Sequence, residues 1–158
     1  MKLNFTLLIL ALLISMQSFA QSIGGLAIGQ PKKEVIKSYG QPDSIMKLST
    51  GDASCFVYDF GPKTQVYVMI DKKTETVDRL IAVGRDDRRG IFESRLKIRL
   101  GDLDSKLVKS YGTGKLIKDG PSAYSRQYVN IKFSLAHENG NFIVNRIEVF
   151  KPIKVNKK

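Results

Sequence analysis

Residues 28–40 read IGQPKKEVIKSYG and residues 100–112 read LGDLDSKLVKSYG, so one pattern occurs twice, 72 positions apart. In each copy an apolar residue and a Gly come first, apolar positions spaced three or four apart follow, and Tyr-Gly ends the pattern. That spacing places the apolar side chains on one face of a short helix. A repeated unit of this size predicts two small modules in tandem.

The ends of the two predicted helices carry recognisable signals. Pro31 suits the first helical position, and Asp102 suits an N-cap. Gly40 and Gly112 stand where a helix requires a C-cap residue with positive φ. Helices this short are unstable alone in water, so we expect both of them to pack on a sheet.

Alternating apolar residues after each helix predict three strands per copy. These are residues 55–60, 66–70 and 77–83 in the first copy, and residues 124–129, 131–136 and 142–150 in the second. Asn139-Gly140 is a strong signal for a tight hairpin. A strand is also expected at the start of the second copy, where Leu96, Ile98 and Leu100 alternate with basic residues.

Together these patterns predict an α+β fold of two tandem repeats, each a short helix or helical hairpin packed on an antiparallel sheet of three or four strands. The first repeat is assigned to residues 21–85 and the second to residues 94–150. A charged linker is expected over residues 86–93, and a basic tail over 151–158. Modules this small are marginal alone, so they should share a core or an interface.

The first 20 residues have the organisation of an export signal. Lys2 is followed by an apolar run over residues 7–14, and Ser18-Phe19-Ala20 is a small-x-small cleavage site. We expect cleavage after Ala20, a mature chain that starts at Gln21, and a periplasmic or extracellular location. The alternative is an uncleaved anchor, but the run is shorter than the roughly 20 residues that span a bilayer. No membrane span is expected elsewhere.

The chain carries 26 Lys and Arg against 15 Asp and Glu, a formal net charge of +11. That charge favours anionic neighbours, although scattered basic residues are also typical of a solvated outer face. The single cysteine, Cys55, excludes an internal disulfide. Its position in an apolar strand favours a buried side chain, with a reactive thiol or an intermolecular disulfide as alternatives.

No pattern in the sequence indicates an active site. His137 is the only histidine, and one His with one Cys cannot complete a zinc site. We therefore predict no metal, no cofactor and no enzymatic activity. A small hydrolase that uses an unmarked pair of carboxylates is the alternative, because any two acids can meet in space.

Aromatic residues of the strands are the candidates for partner binding, together with two arginines of the linker. If their side of the strands faces the helices, the aromatic residues belong to the core; if it faces outward, they form a protein-binding surface. The expected partner is a protein with an acidic surface, and nucleic acid is not expected. An electrostatic binder of lipopolysaccharide or phospholipid is the alternative. The candidate residues are Phe56, Tyr58, Phe60, Tyr67, Tyr124, Tyr128, Arg88 and Arg89.

The order of these signals resembles the SmpA/OmlA lipoprotein family of the outer-membrane barrel assembly machinery. In tandem, the two modules resemble the β-lactamase inhibitory protein family. The resemblance runs through Ile28-Gly29, Tyr39-Gly40, Leu100-Gly101 and Tyr111-Gly112. It implies helices on an antiparallel sheet and a protein partner bound without catalysis. The chain departs from the first family in lacking a lipidated Cys, and from the second in having one Cys and no Trp.

Overall fold

A computed structural model describes residues 21–61, 63–85, 92–121 and 123–152. The described residues form ten strands and two helices of eight residues each. In chain order these are β1 (Ser22–Ile23), β2 (Leu26–Ala27), α1 (Lys32–Tyr39), β3 (Ser44–Lys47), β4 (Ala53–Asp59), β5 (Thr64–Asp71), β6 (Thr76–Gly84), α2 (Asp104–Tyr111), β7 (Lys115–Lys118), β8 (Ala123–Gln127), β9 (Ile131–Glu138) and β10 (Asn141–Phe150).

The protein is built on one continuous sheet of eight strands in the order β3-β4-β5-β6-β10-β9-β8-β7, with β1 and β2 as a separate hairpin. All neighbouring strands of the large sheet are antiparallel. The prediction of two helix-on-sheet repeats is therefore wrong: the protein is mostly β, and the strands of both predicted repeats belong to one eight-stranded sheet. The physical reason is the pairing of β6 with β10, since each of these strands would otherwise leave a row of N–H and C=O groups unpaired.

Two edge strands were absent from the prediction. All four residues of β3 are exposed, and β7 has only one half-buried residue, Ile117. Strands that bury so little show no clear alternation of apolar and polar residues, so the period-two signal fails there. Conversely, the prediction of a strand over Leu96–Leu100 is wrong, because the structure has no strand there. Lys97 has a φ of 63°, which breaks an extended chain, although Ile98 and Leu100 are buried as expected.

The helix ends follow the prediction at the C-termini but not at the N-termini. Gly40 and Gly112 have φ of 82° and 80°, and their N–H groups donate to carbonyl oxygens of the preceding turn. A residue with a Cβ would be strained at such a φ. Pro31 occupies the N-cap position rather than the first helical one, and Leu103, not Asp102, is the N-cap of α2. The Asp102 carboxylate instead accepts the N–H of Arg99 at 2.8 Å.

The hydrophobic core lies on one face of the sheet. Val35 of α1 and Leu107 of α2 are fully buried against it, and so is Leu26 of the β1–β2 hairpin. Phe92 and Ile98, which precede α2, complete the cover. The buried strand residues of this face are Phe56, Tyr58, Val66, Val68, Ile70, Val77, Leu80, Ala82, Ile131, Phe133, Leu135, Val144, Ile147 and Val149.

A β-bulge interrupts each of the two central strands. The register of β6 skips Asp78, and that of β10 skips Asn145. These residues hold the same place in the segments Val77-Asp78-Arg79-Leu80 and Val144-Asn145-Arg146-Ile147. A bulge inserts one extra residue into a strand, so the side chains after it lie on the faces opposite to those that strict alternation would give. Each bulge therefore keeps the flanking apolar residues in the core and turns Arg79 or Arg146 to the opposite face.

Several predicted features fall outside the described residues. They are the signal peptide with its apolar run, the linker arginines Arg88 and Arg89, and residues 153–158 of the basic tail. Neither described helix is long and apolar enough to cross a membrane.

Candidate functional site

The aromatic candidates separate onto two faces of the sheet. Phe56 and Tyr58 are 4% and 2% exposed in the core, so the core interpretation holds for them. Phe60, Tyr124 and Tyr128 are partly buried and pack against the same core. Tyr67 is half-buried, and its place in the alternation of β5 puts it on the opposite face. The structure thus does not bring the six aromatic candidates together on one surface.

The core tyrosines connect the sheet to the ends of the helices. The hydroxyl of Tyr58 donates to the carbonyl of Gly40 at 3.3 Å, and that of Tyr128 donates to the carbonyl of Gly112 at 2.9 Å. Burial raises the pKa of Tyr58, with a contribution from the negative charge of Asp43, and burial also raises the pKa of Tyr128. Their geometry indicates a structural role.

Replacing Tyr58 by Phe is expected to reduce the loss of stability at alkaline pH. The folded-state pKa lies above the ordinary value of 10.0, so this group's stabilising effect is complete below about pH 10 and is lost as the pH rises toward the folded pKa. Urea unfolding at about pH 8 and about pH 11 measures the loss in wild type and in Tyr58→Phe. Equal losses in the two proteins would contradict the prediction.

The second face of the sheet, here called the open face, is the candidate functional surface. Val57, Tyr67 and Ile81 lie in register across β4, β5 and β6 on this side. Both described helices pack on the other side, but Cys55, Val57 and Ile81 on this face are only 1%, 6% and 5% exposed, so its accessible part is formed by the half-buried residues around them. The open face is defined here by Cys55, Val57, Tyr67, Met69, Arg79, Ile81, Lys132, Arg146, Glu148 and Phe150.

At the centre of the open face two arginines share one carboxylate. Arg79 Nη1 donates to Glu148 Oε1 at 3.0 Å, and Arg146 Nη2 donates to Glu148 Oε2 at 3.0 Å. The Glu148 side chain is only 13% exposed, whereas those of Arg79 and Arg146 are 44% and 39% exposed. Lys132 lies directly opposite Glu148 on β9. Asp119 lies 3.6 Å from Lys132 Nζ, so three cations face two carboxylates here, and both arginine side chains are more than a third exposed.

Sequence reasoning missed Arg79, Arg146 and Glu148 as candidates. The available signal was the recurrence of Val-x-Arg-apolar in the two closing strands. Strict alternation would place Val77 and Arg79 on the same face, and only the bulge separates them.

Cys55 is inert in this environment. It is 1% exposed beside Met69 on the neighbouring strand, and burial raises the pKa of its thiol. A raised pKa disfavours the thiolate, which is the nucleophilic form. Of the alternatives weighed from sequence, the buried hydrophobic role agrees with the structure.

The described residues assemble no recognisable catalytic or metal-binding cluster. Among them, no group of three or more His, Cys, Asp and Glu side chains is placed to hold a metal ion. His137 is exposed, and its ring lies 5.1 Å from that of Phe142. Hydrogen bonds from Thr74 lower the pKa of Asp71, and one from Lys97 lowers that of Glu93. A general acid requires the opposite direction of shift.

No protein-family model matches the chain, and no curated protein matches it. One similar solved structure is YjgB, a DUF4309 family protein from Bacillus subtilis, at 15% identity and a TM-score of 0.50, with 80% of this chain and 82% of that chain covered. Another is an extracellular protein containing an SCP domain from Bacillus anthracis, at 11% identity and a TM-score of 0.51, with 78% of this chain and 44% of that chain covered. At these identities the likeness is one of fold. The resemblance to the SmpA/OmlA and β-lactamase inhibitory protein families stays a prediction.

Proposed function

We propose that this chain is an exported protein that binds an acidic protein partner through the open face of its sheet, without catalysis. The observation that carries the proposal is the arrangement of Arg79 and Arg146 around Glu148. One largely buried carboxylate, 13% exposed, accepts hydrogen bonds from two half-exposed guanidinium groups and so restrains both. Arginines that are already ordered lose less entropy when they bind carboxylates of a partner.

The apolar part of the open face lies directly beside these arginines. Tyr67 is half-buried, and its hydroxyl donates to Gln65 Oε1 at 2.7 Å, which fixes the ring. Tyr and Arg are enriched among the residues that dominate binding energy at protein interfaces. Tyr67 lies on the same face as Arg79, which is opposite Met69 on β5. A half-buried tyrosine on the face that carries ordered arginines favours recognition of a protein over simple attraction of counter-ions.

Charge and location agree with this proposal. The formal net charge of +11 steers acidic partners toward the chain and speeds their association. One protein of similar fold is described as extracellular. Cleavage after Ala20 and a periplasmic or extracellular location belong to the proposal.

Open-face variants are expected to lose a partner that wild type captures. We would immobilise wild type, Tyr67→Ala and Arg79→Glu, incubate each with envelope extract, and wash at low and at high salt. A partner retained by wild type at high salt should be lost from both variants, by roughly tenfold or more in affinity for each. The matched controls are Lys109→Glu on the exposed side of α2 and Leu96→Ala, both away from the open face.

Two outcomes would contradict the proposal. If the open-face variants and the controls retain the same partner equally, the open face is not the binding surface. If many acidic species bind and all elute together at high salt, net charge alone does the binding. The chain would then be an electrostatic binder of anionic envelope components, and vesicles of anionic phospholipid should capture it with the same salt dependence.

A further inference from the structure

The strand β7 forms one outer edge of the eight-stranded sheet and has a neighbouring strand on one side only. It pairs with β8 over Lys115–Lys118, so the backbone N–H and C=O groups on its other side have no partner within the sheet. No other described segment forms a backbone hydrogen bond to these four residues. Leu116 is 53% exposed at this edge. The edge is therefore open to a further strand.

Two exposed lysines stand at the ends of β7. Neither Lys115 nor Lys118 forms an ion pair with another described residue, whereas Lys132, two strands further into the sheet, pairs with Asp119. Between Asp104 and Asp119 the chain contains four lysines and no acidic residue. The surroundings of this edge are therefore positively charged, and its two lysines are available to carboxylates of another chain.

The opposite edge of the sheet lacks this arrangement. The strand β3 is the counterpart of β7, since each of them follows a helix and the Gly at its C-terminus and ends the sheet on its side. The sequences of β3 and β7 are Ser-Ile-Met-Lys and Lys-Leu-Ile-Lys, so Ser44 stands where β7 has Lys115. Asp43 directly precedes β3 and adds a negative charge. Of the two edges, only β7 carries a cation at each end.

We infer that β7 binds an extended acidic segment of a partner protein, which joins the sheet as an additional strand. In this mode of recognition, backbone hydrogen bonds give affinity and the alternating side chains give specificity. The inference goes beyond the binding proposed for the open face, because it concerns the edge of the sheet and does not depend on Tyr67 or the arginines.

The side chains of β7 define the pattern of that segment. Lys115 lies on the open face, since it is in register with Gln127, and Gln127 with Lys132. Alternation places Ile117 on the same face and the other two side chains on the face of the helices. A strand beside β7 thus meets a cation, two apolar residues and a cation. Opposite charges across neighbouring strands are stabilising, so the complement is an acid, two apolar residues and an acid.

The same lysines disfavour a second copy of this chain as the occupant. Two β7 strands side by side would bring four lysines together, and each chain carries a formal net charge of +11. Lysine on an edge strand is a common protection against pairing between identical edges. Here that protection leaves acidic strands as the ones that the edge accepts.

NMR titration of the isotope-labelled protein with a short capped peptide tests the inference. The probe is TEVIET, and the peptide of reversed charge, TKVIKT, is its control. We expect TEVIET to shift the amide signals of β7 and β8, and TKVIKT to shift neither. Replacing both Lys115 and Lys118 by Ser should weaken binding about fivefold or more, as the loss of two cross-strand charge pairs requires. The matched control Lys47→Ser on β3 and the open-face variant Arg79→Glu should bind TEVIET like wild type.

Two N-methylated versions of TEVIET distinguish strand addition from attraction between charges. One is methylated at its odd-numbered residues and the other at its even-numbered residues. In an added strand, alternate N–H groups point toward the neighbouring strand, so one version should lose binding and the other should keep it. If both versions bind as well as TEVIET, charge alone attracts the peptide and strand addition is refuted. Equal shifts at β3 and β7, shifts confined to the open face, or no shift at all would each overturn the assignment to this edge.

Discussion

Truncation at Gly90 is expected to leave two fragments that do not fold. The first fragment would contain α1 with β3–β6, and the second would contain α2 with β7–β10. Because β6 pairs with β10 in the intact sheet, each fragment would expose a central strand along a full edge. Separation would also open the core beside Leu80 and Ala82 of β6, and beside Ile147 and Val149 of β10, which are all at most 1% exposed.

The size of this effect follows from burial. A fully buried Val, Leu or Ile side chain contributes about 1.5–3 kcal/mol. Partial exposure of Leu80, Ile147 and Val149, with the loss of the β6–β10 hydrogen bonds, is comparable to the whole stability of a domain, about 5–15 kcal/mol. We therefore expect both fragments to lack a cooperative thermal transition.

Circular dichroism melting of the separate fragments and of a nicked full-length protein measures the effect. The nicked control carries a protease site in the segment 86–91 and is cut after folding, so both halves of the sheet remain present. We expect the nicked protein to melt close to the intact one. Fragments that melt independently near the temperature of the intact protein would contradict the single-sheet account.

The sequence predicted the buried strands and the C-terminal ends of the helices better than the way the strands assemble. Core strands such as β5 and β9 alternate along most of their length between buried residues and more accessible ones, so the local pattern identifies them. Asn139 and Gly140 both have positive φ, as a type I′ hairpin requires. The pairing of β6 with β10 has no local signal. It joins residues about 70 positions apart along the chain, such as Arg79 and Phe150.

The candidate site was harder to predict than the fold because it depends on two single-residue bulges. The repeated Val-x-Arg segments were visible, but without Asp78 and Asn145 as bulges the arginines would face the core. Tyr67 was identified among the aromatic candidates because it lies in a strand, although nothing in its local pattern distinguished it from Tyr58. Register and face are properties of the assembled sheet, and a pattern of single residues determines neither.

The second large effect is expected at the ion pair between Asp104 and Arg126. Arg126 Nε and Nη2 donate to the two Asp104 oxygens at 2.6 and 2.7 Å, and Nη1 donates to the carbonyl of Thr113 at 2.7 Å. The side chains of Arg126 and Asp104 are 12% and 21% exposed. The hydrogen bonds that Arg126 donates to Asp104 raise the pKa of Arg126 further, so the guanidinium stays charged at every ordinary pH. The pair fixes the first residue of α2 and the turn after that helix to β8.

The first half of the sheet uses a different pair at the same place. Lys32 is the first residue of α1, as Asp104 is of α2. Phe56 precedes Tyr58 by two positions, as Arg126 precedes Tyr128, and these two tyrosines make the matching bonds to Gly40 and Gly112. Lys32 Nζ lies 6.0 Å from the centroid of the Phe56 ring, within reach of a cation–π interaction. Lys32 Nζ also lies 3.4 Å from Glu75 Oε1, so the first half combines a cation–π contact with an exposed ion pair at this place.

Removing the carboxylate should be strongly destabilising, and transplanting the first-half pair should restore most of the loss. Asp104→Ala leaves Arg126 charged and poorly solvated, at an expected cost of about 3 kcal/mol, near the lower end for buried pairs because both groups keep some contact with water. That cost corresponds to a fall in Tm of roughly 10 °C.

Thermal and urea unfolding of four proteins gives the comparison: wild type, Asp104→Ala, Asp104→Lys, and the double variant Asp104→Lys with Arg126→Phe. Asp104→Lys alone places two cations together and should be the least stable. The double variant replaces the ion pair by a lysine over an aromatic ring and should melt well above either single variant. If the double variant is no more stable than Asp104→Lys, the two halves of the sheet are not interchangeable at this position. If Asp104→Ala has the same Tm as wild type, the ion pair does not hold α2 to the sheet.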